Sequence, residues 1–88
     1  YNWGVQPGLK NLTDHFLEEW FWRPAAILSY SAGRQGGARA NLAWHGTLSE
    51  MGMAVVSSTI TVGQIEQALD SDAQPVGDGG AALARAFP

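Results

Sequence analysis

Ser31, Gly33, Gly36 and Gly37 follow directly on the apolar run Ala25-Ala26-Ile27-Leu28-Ser29-Tyr30 and precede a periodic segment that starts at Ala38. A loop of this composition can offer a ligand a row of backbone N–H groups. Glycine tolerates positive φ and lets the backbone approach closely, and serine adds one hydroxyl. The same residues also suit a plain strand-to-helix turn, and spacing alone does not separate the two readings. A second loop opens the chain at Tyr1-Asn2-Trp3-Gly4, where glycine, asparagine and aromatic residues stand together.

Other reactive side chains form weaker patterns. His15, Glu18 and Glu19 lie three and four residues apart. That spacing could hold a metal, but a solvated charged face explains it better, and no metal site is assigned. His45 has only Ser49 within a helical turn, so a hydrolase triad lacks its third member and any nucleophile elbow. Arg39 reads as a surface group able to reach a cofactor or pair with an acid. Trp3 either borders a substrate or packs. Lys10 and Asn11 brace the first loop or the helix after it.

Composition narrows the function classes. At 88 residues the chain is one domain at most, and a domain of this size is marginal without help. It has no cysteine, which removes disulfides, thiolate nucleophiles and zinc–thiolate sites. A formal net charge of −3 argues against nucleic acid or an anionic membrane as partner. The longest apolar runs are too short to span a bilayer, and no signal-peptide pattern opens the chain. The expectation is a soluble intracellular domain.

The elements that must position the loops follow from periodicity. Pro7-Gly8 leads into a helix. Leu9, Leu12, Phe16 and Trp20 share one face of it, and it should end near Trp22 because Pro24 forbids continuation. Ala25–Tyr30 fits a strand covered on both faces. Ala38–Met51 reads as a helix with Ala40, Trp44, Leu48 and Met51 on one side, stopped by Gly52. Met53-Ala54-Val55-Val56 is a second strand. Ile60, Ile65 and Leu69 suggest an extended segment and a short helix. Asp70–Gly80 reads as a loop, and Leu83, Ala86 and Phe87 begin a last helix. Trp20, Phe21 and Trp22 serve a core or a subunit interface. The strand–helix–strand order implies a parallel βαβ unit.

Two stretches resemble the NADPH-dependent FMN reductases, a flavodoxin-like family that includes quinone, azo and chromate reductases. One is Tyr1-Asn2 followed by Pro7-Gly8-Leu9-Lys10-Asn11 and Asp14. The other is Pro24 through Ser31, then Gly33 and Gly36-Gly37-Ala38-Arg39. Glu50-Met51-Gly52-Met53 before a valine strand adds to them. The order and nearly the spacing match the family over the first two thirds of the chain. Pro7 lies one residue later than usual, His15 replaces a frequent Trp, and Arg23 a usual Lys.

The resemblance implies an α/β fold: the C-terminal half of a flavodoxin-like doubly wound parallel sheet, with about two strands and three helices. Residues 1–88 would be a partial domain without the N-terminal phosphate-binding half. The implied cofactor is FMN, with NADPH or NADH as reductant and a flavin, quinone or similar small molecule as acceptor. Tyr1 and Asn2 would contact the flavin ring and offer amide hydrogen bonds. Ser31 would offer its hydroxyl, and Gly33, Gly36 and Gly37 their backbone. No catalytic side chain is implied, since hydride transfer to flavin needs no general base. The parent protein is expected in the cytoplasm as a homo-oligomer, and these 88 residues alone are expected to bind FMN weakly or not at all. Two other functions compete: a non-catalytic remnant, and an interaction module that pairs through a strand edge.

Overall fold

The computed structural model describes residues 2–86. They form two compact units, one built from residues 2–27 with 39–59, the other from residues 28–38 with 60–86. The class is α/β with parallel strand pairs, consistent with a flavodoxin-like arrangement.

The first unit opens with helix α1, Pro7–Asp14. Pro7 sits in its first turn, and the Gln6 side chain accepts a hydrogen bond from the Leu9 amide. That bond satisfies one of the helix's orphan donors. Gln6→Ala is therefore expected to cost about 0.5–1 kcal/mol, checked by urea denaturation against the parent protein. Lys10 and Asp14 pair one turn apart on the helix surface.

The expected helix to Trp22 is corrected: α1 stops at Asp14, and a separate 3-10 turn covers Glu18–Trp20. The Trp20 indole donates to the Thr13 carbonyl at 3.0 Å, and the Phe16 amide reaches the same oxygen. A continuing helix would give that carbonyl to residue 17. Phe16 packs edge to face on Trp20, with ring centres 6.1 Å apart, a favoured aromatic geometry.

Strand β1, Pro24–Ala25, pairs in parallel with strand β3, Ala54–Val55. Between them in sequence runs helix α2, Ala38–Glu50. It buries Trp44, with Met51 just beyond its end and Ile27 also in the core, so the expected helical face is the one used. At its C-terminus the Met53 amide bonds the Leu48 carbonyl and the Gly52 amide bonds that of Ser49. Those two bonds define a Schellman motif. Gly52 holds φ +82° there, and a Cβ on it would lie 2.8 Å from the Phe21 ring. Asn41 is buried in the same helix, and its side-chain amide lies 3.4 Å from the Ile27 carbonyl.

The second unit holds strand β2, Leu28–Tyr30, parallel to strand β4, Ile60–Val62. The expected strand Ala25–Tyr30 is thus two segments with different partners. Two more residues separate Leu28 from Ile60 than separate Pro24 from Ala54. Burial also differs from the expectation of cover on both faces. Ala25, Ile27 and Ser29 are covered to some degree, whereas Ala26, Leu28 and Tyr30 are exposed. That is the period-two alternation of a strand covered on one face among the described residues.

Helices α3, Ile65–Ala68, and α4, Gly77–Ala86, complete this unit. The second of them corrects the expected loop Asp70–Gly80. Gly79 and Gly80 each cost about 1 kcal/mol relative to alanine within a helix, but both are close-packed. A Cβ on Gly80 would lie 2.6 Å from the Pro75 carbonyl carbon, and one on Gly79 3.1 Å from the Ala68 Cβ. Asp70 shapes the remaining turn by accepting from the Asp72 and Gln74 amides, each at 2.9 Å. Among the described residues there are four short strand segments, four α-helices and one 3-10 turn, where about two strands and three helices were expected, within the same α/β class.

Candidate functional site

Residues 31–37 follow the end of β2 and lead into α2 at Ala38, as the sequence implies. Ser31 organises this loop. Its Oγ donates to the Gly33 carbonyl at 2.8 Å and accepts from the Gly36 amide at 3.0 Å. Its backbone is tied to the neighbouring segment: the amide donates to the Val62 carbonyl at 3.1 Å, and the carbonyl accepts from the Ile65 amide at 3.0 Å. Two further bonds pin the loop, from Ser29 Oγ to the Gly36 carbonyl and from the Gln64 amide to the Gly33 carbonyl.

The three loop glycines differ in what they do. Gly36 is buried with φ +61°, and a Cβ there would lie 2.9 Å from the Val62 nitrogen. Gly37 has φ +71°, and its Cβ would come 3.1 Å from that of Ser29. Both positions are dictated by close packing against the protein's own backbone and side chains. Gly33 is exposed, and a Cβ on it would meet only Ser31 Oγ, at 4.0 Å. Among the described residues, the amides of Gly33 and Arg34 donate to no protein acceptor. The loop therefore offers fixed, exposed donors, which suit the carbonyl and ring-nitrogen edge of a planar heterocycle. The Ser31 hydroxyl, expected to face a ligand, is committed to internal bonds.

Sequence reasoning missed three residues of this loop's support. Gly63 must be small, because a Cβ there would lie 2.3 Å from the Arg34 carbonyl oxygen. Gln64 adopts the left-handed conformation, φ 49°, as N-cap of α3. Ser29 supplies the bond to Gly36. Only the glycine after the β-branched triplet Ile60-Thr61-Val62 gave any signal.

In the first unit, Tyr1 lies outside the described residues. Asn2 and Trp3 both have positive φ, 48° and 80°. Asparagine tolerates that region, whereas for tryptophan it costs about 1–2 kcal/mol. Trp3 is nevertheless 73% exposed. Its ring carries the Arg39 guanidinium, with Cζ 3.8 Å from the ring centre. An exposed cation–π contact of this kind contributes about 0.5–1 kcal/mol, so it does not fully offset the backbone strain.

Among the described residues, no group of three His, Asp or Glu side chains is placed to hold a metal ion. The His45 Nε2 is buried without a hydrogen-bond partner among them. No helix among them is long and apolar enough to cross a membrane.

Comparison with known proteins agrees with these motifs. Over 41 residues the chain is 51% identical to an NAD(P)H-dependent FMN reductase of Nectria sp, covering 47% of this chain and 19% of that protein. It is 44% identical, also over 41 residues, to an NAD(P)H-dependent FMN reductase of Saccharomyces cerevisiae, covering 47% of this chain and 20% of the relative. The aligned stretch thus spans about a fifth of the length of these relatives. The profile of the NADPH-dependent FMN reductases matches residues 1–67, from the first loop through both strand pairs and into α3. A match over that much of an 88-residue chain means that it belongs to the NADPH-dependent FMN reductase family.

Proposed function

We propose that the protein containing this chain is an NAD(P)H-dependent oxidoreductase that carries FMN and passes electrons to a flavin, quinone or similar small acceptor. The carrying observation is the pinned loop 31–37, with the Gly33 and Arg34 amides left exposed and unclaimed among the described residues. Those donors fit the pyrimidine edge of a flavin. When bound, the flavin supplies the hydride chemistry, and the chain supplies binding and orientation. Donors fixed before the ligand arrives favour negative charge on that edge without reorganising.

Within this reading Gly33 contacts the cofactor through its backbone. Gly36 and Gly37 keep the loop closed on its own unit, and Ser31 holds the donors in register. Tyr1 and Asn2 contribute ring contact and an amide from the first loop. The reading includes a cytoplasmic protein with access to soluble NAD(P)H. It also includes a homo-oligomer, for which Trp22, 88% exposed with φ +63°, is an apolar residue suited to a subunit contact.

The test is the purified full-length protein. It should be yellow, release FMN on denaturation, and bleach when NADPH or NADH is added without oxygen. A colourless protein that binds no added FMN in a fluorescence titration would reject the proposal and leave the remnant or the interaction module.

A further inference from the structure

We propose that the Arg34 side chain sets how much more tightly the protein holds the reduced cofactor than the oxidised one, an inference that rests on reading the protein as an FMN-carrying oxidoreductase. Eight acidic residues outnumber five basic ones in the chain, so partners for a cation are not scarce. Four of the five bases have local support. Lys10 pairs with Asp14, and the Arg23 Nε donates to the Glu19 carbonyl at 3.4 Å. Arg39 stacks on the Trp3 ring. Arg85 stands in the last turn of α4, where the helix dipole favours a cation. Arg34 is exposed, and its guanidinium makes no hydrogen bond or ion pair with the described residues.

The backbone that carries it is fixed. A Cβ on Gly63 would lie 2.3 Å from the Arg34 carbonyl oxygen, so the two segments touch there. The preceding carbonyl, of Gly33, accepts from the Gln64 amide at 2.9 Å and from the Ser31 hydroxyl at 2.8 Å. The free guanidinium is thus tethered to a rigid point, next to its own amide and that of Gly33, both unclaimed among the described residues. Two open backbone donors and one full positive charge in consecutive residues favour an anion.

In the proposed function the pyrimidine edge of the flavin lies on those two amides. A hydride from NAD(P)H brings two electrons and one proton, so the ring that receives it gains one negative charge. Neutral amides serve both forms of the edge, because its carbonyl accepts hydrogen bonds in each. A full cation discriminates, since its attraction scales with the charge it faces. The FMN phosphate is the competing anion. Its charge is the same in both redox forms, so a contact there would tighten both equally. The edge is favoured because the Arg34 tether begins at an amide that would touch it.

The experiment uses the full-length protein with Arg34→Gln and Arg34→Lys variants. It measures affinity for oxidised FMN by fluorescence titration and the two-electron midpoint potential of the bound flavin against reference dyes. Together with the potential of free FMN, these give the affinity for reduced FMN. Arg34→Gln should weaken reduced FMN about tenfold more than oxidised FMN, the scale of one charge at a side chain's reach, and so lower the potential by about 30 mV. Arg34→Lys keeps the charge and should hold the reduced-to-oxidised affinity ratio within about twofold of wild type. The side chain is exposed and unbonded, so all three proteins should fold alike.

An affinity ratio in Arg34→Gln within about twofold of wild type would overturn the inference. Equal weakening of both forms is one such result, and it would assign the guanidinium to the phosphate. A ratio lost in Arg34→Lys as fully as in Arg34→Gln would overturn it in favour of side-chain shape over charge. A wild-type protein that takes up no FMN would reject the FMN reading and this inference with it. Bound flavin whose potential is the same in all three proteins would reject this inference alone.

Discussion

Gly36→Val is expected to destabilise the protein by about 3 kcal/mol or more and to abolish flavin retention as a consequence. Two effects add. Valine at φ +61° meets a backbone conformation that β-branched residues resist, at a cost of about 1–2 kcal/mol. Its Cβ would also lie 2.9 Å from the Val62 nitrogen and 3.0 Å from that of Gly63. These are backbone atoms that cannot rotate aside, and overpacking of this kind costs about 1–3 kcal/mol. Ala43→Val, on the exposed part of α2, should cost about 0.6 kcal/mol through helix propensity alone. Gly33→Ala separates stability from ligand contact: its Cβ meets only Ser31 Oγ at 4.0 Å, so stability should stay within about 1 kcal/mol of wild type. If flavin lies against this backbone, FMN affinity should drop nonetheless. Urea denaturation of the flavin-free protein and FMN titration of the three variants give both quantities. A Gly36→Val protein as stable as wild type would mean that the loop does not pack on Val62 and Gly63 as described.

The fold was legible where local pattern and packing agree. In α2 the spacing of Ala40, Trp44, Leu48 and Met51 marks the covered face, and Gly52 ends it in the conformation a glycine is chosen for. Legibility failed where a distant group intervened. The periodicity of Leu9, Leu12, Phe16 and Trp20 runs straight through a break made by the Trp20 indole reaching back to Thr13, and no propensity encodes that bond. The start of α4 was hidden because Gly77, Gly79 and Gly80 read as loop formers. Gly77 supplies a positive φ of 64°, and the value of Gly79 and Gly80 lies in their close approach to Ala68 and Pro75, which only the packed unit reveals. Asn41, a polar residue beside the apolar stripe, gave no sign of its burial.

The candidate site divides the same way. Its composition was readable, because a serine and three glycines after a strand describe a loop whose backbone must be accessible or tightly turned. Which of those two each glycine serves was not readable. The answer depends on Val62, Gly63 and Gln64, about thirty residues further along the chain. Gly36 and Gly37 carry the tight turn, while Gly33 is exposed with room around its backbone.

Ser31→Ala should be the most damaging conservative change in the loop, costing about 2–4 kcal/mol and weakening FMN binding more than its stability loss alone explains. The hydroxyl makes two bonds, to the Gly33 carbonyl at 2.8 Å and from the Gly36 amide at 3.0 Å. Gly36 is buried, and an orphaned donor there costs about 1–3 kcal/mol, against about 0.5–1.5 kcal/mol for the exposed partner. The Gly33 carbonyl also accepts from Gln64, so it does not lose all support. The consequence for binding follows from geometry. Without the hydroxyl, the segment between Ser31 and Gly36 keeps its ends but loses the brace across its middle. The exposed amides of Gly33 and Arg34 then sample more orientations, and fixing them on a ligand costs about 1–2 kcal/mol per ordered residue. Ser31→Thr retains the hydroxyl and should restore much of both losses. The measurement is FMN affinity of Ser31→Ala, Ser31→Thr and wild type at a temperature where all three are folded by circular dichroism. A folded Ser31→Ala protein with wild-type FMN affinity would show that the flavin does not depend on these braced amides, and the loop 31–37 would lose its place as the cofactor's donor edge.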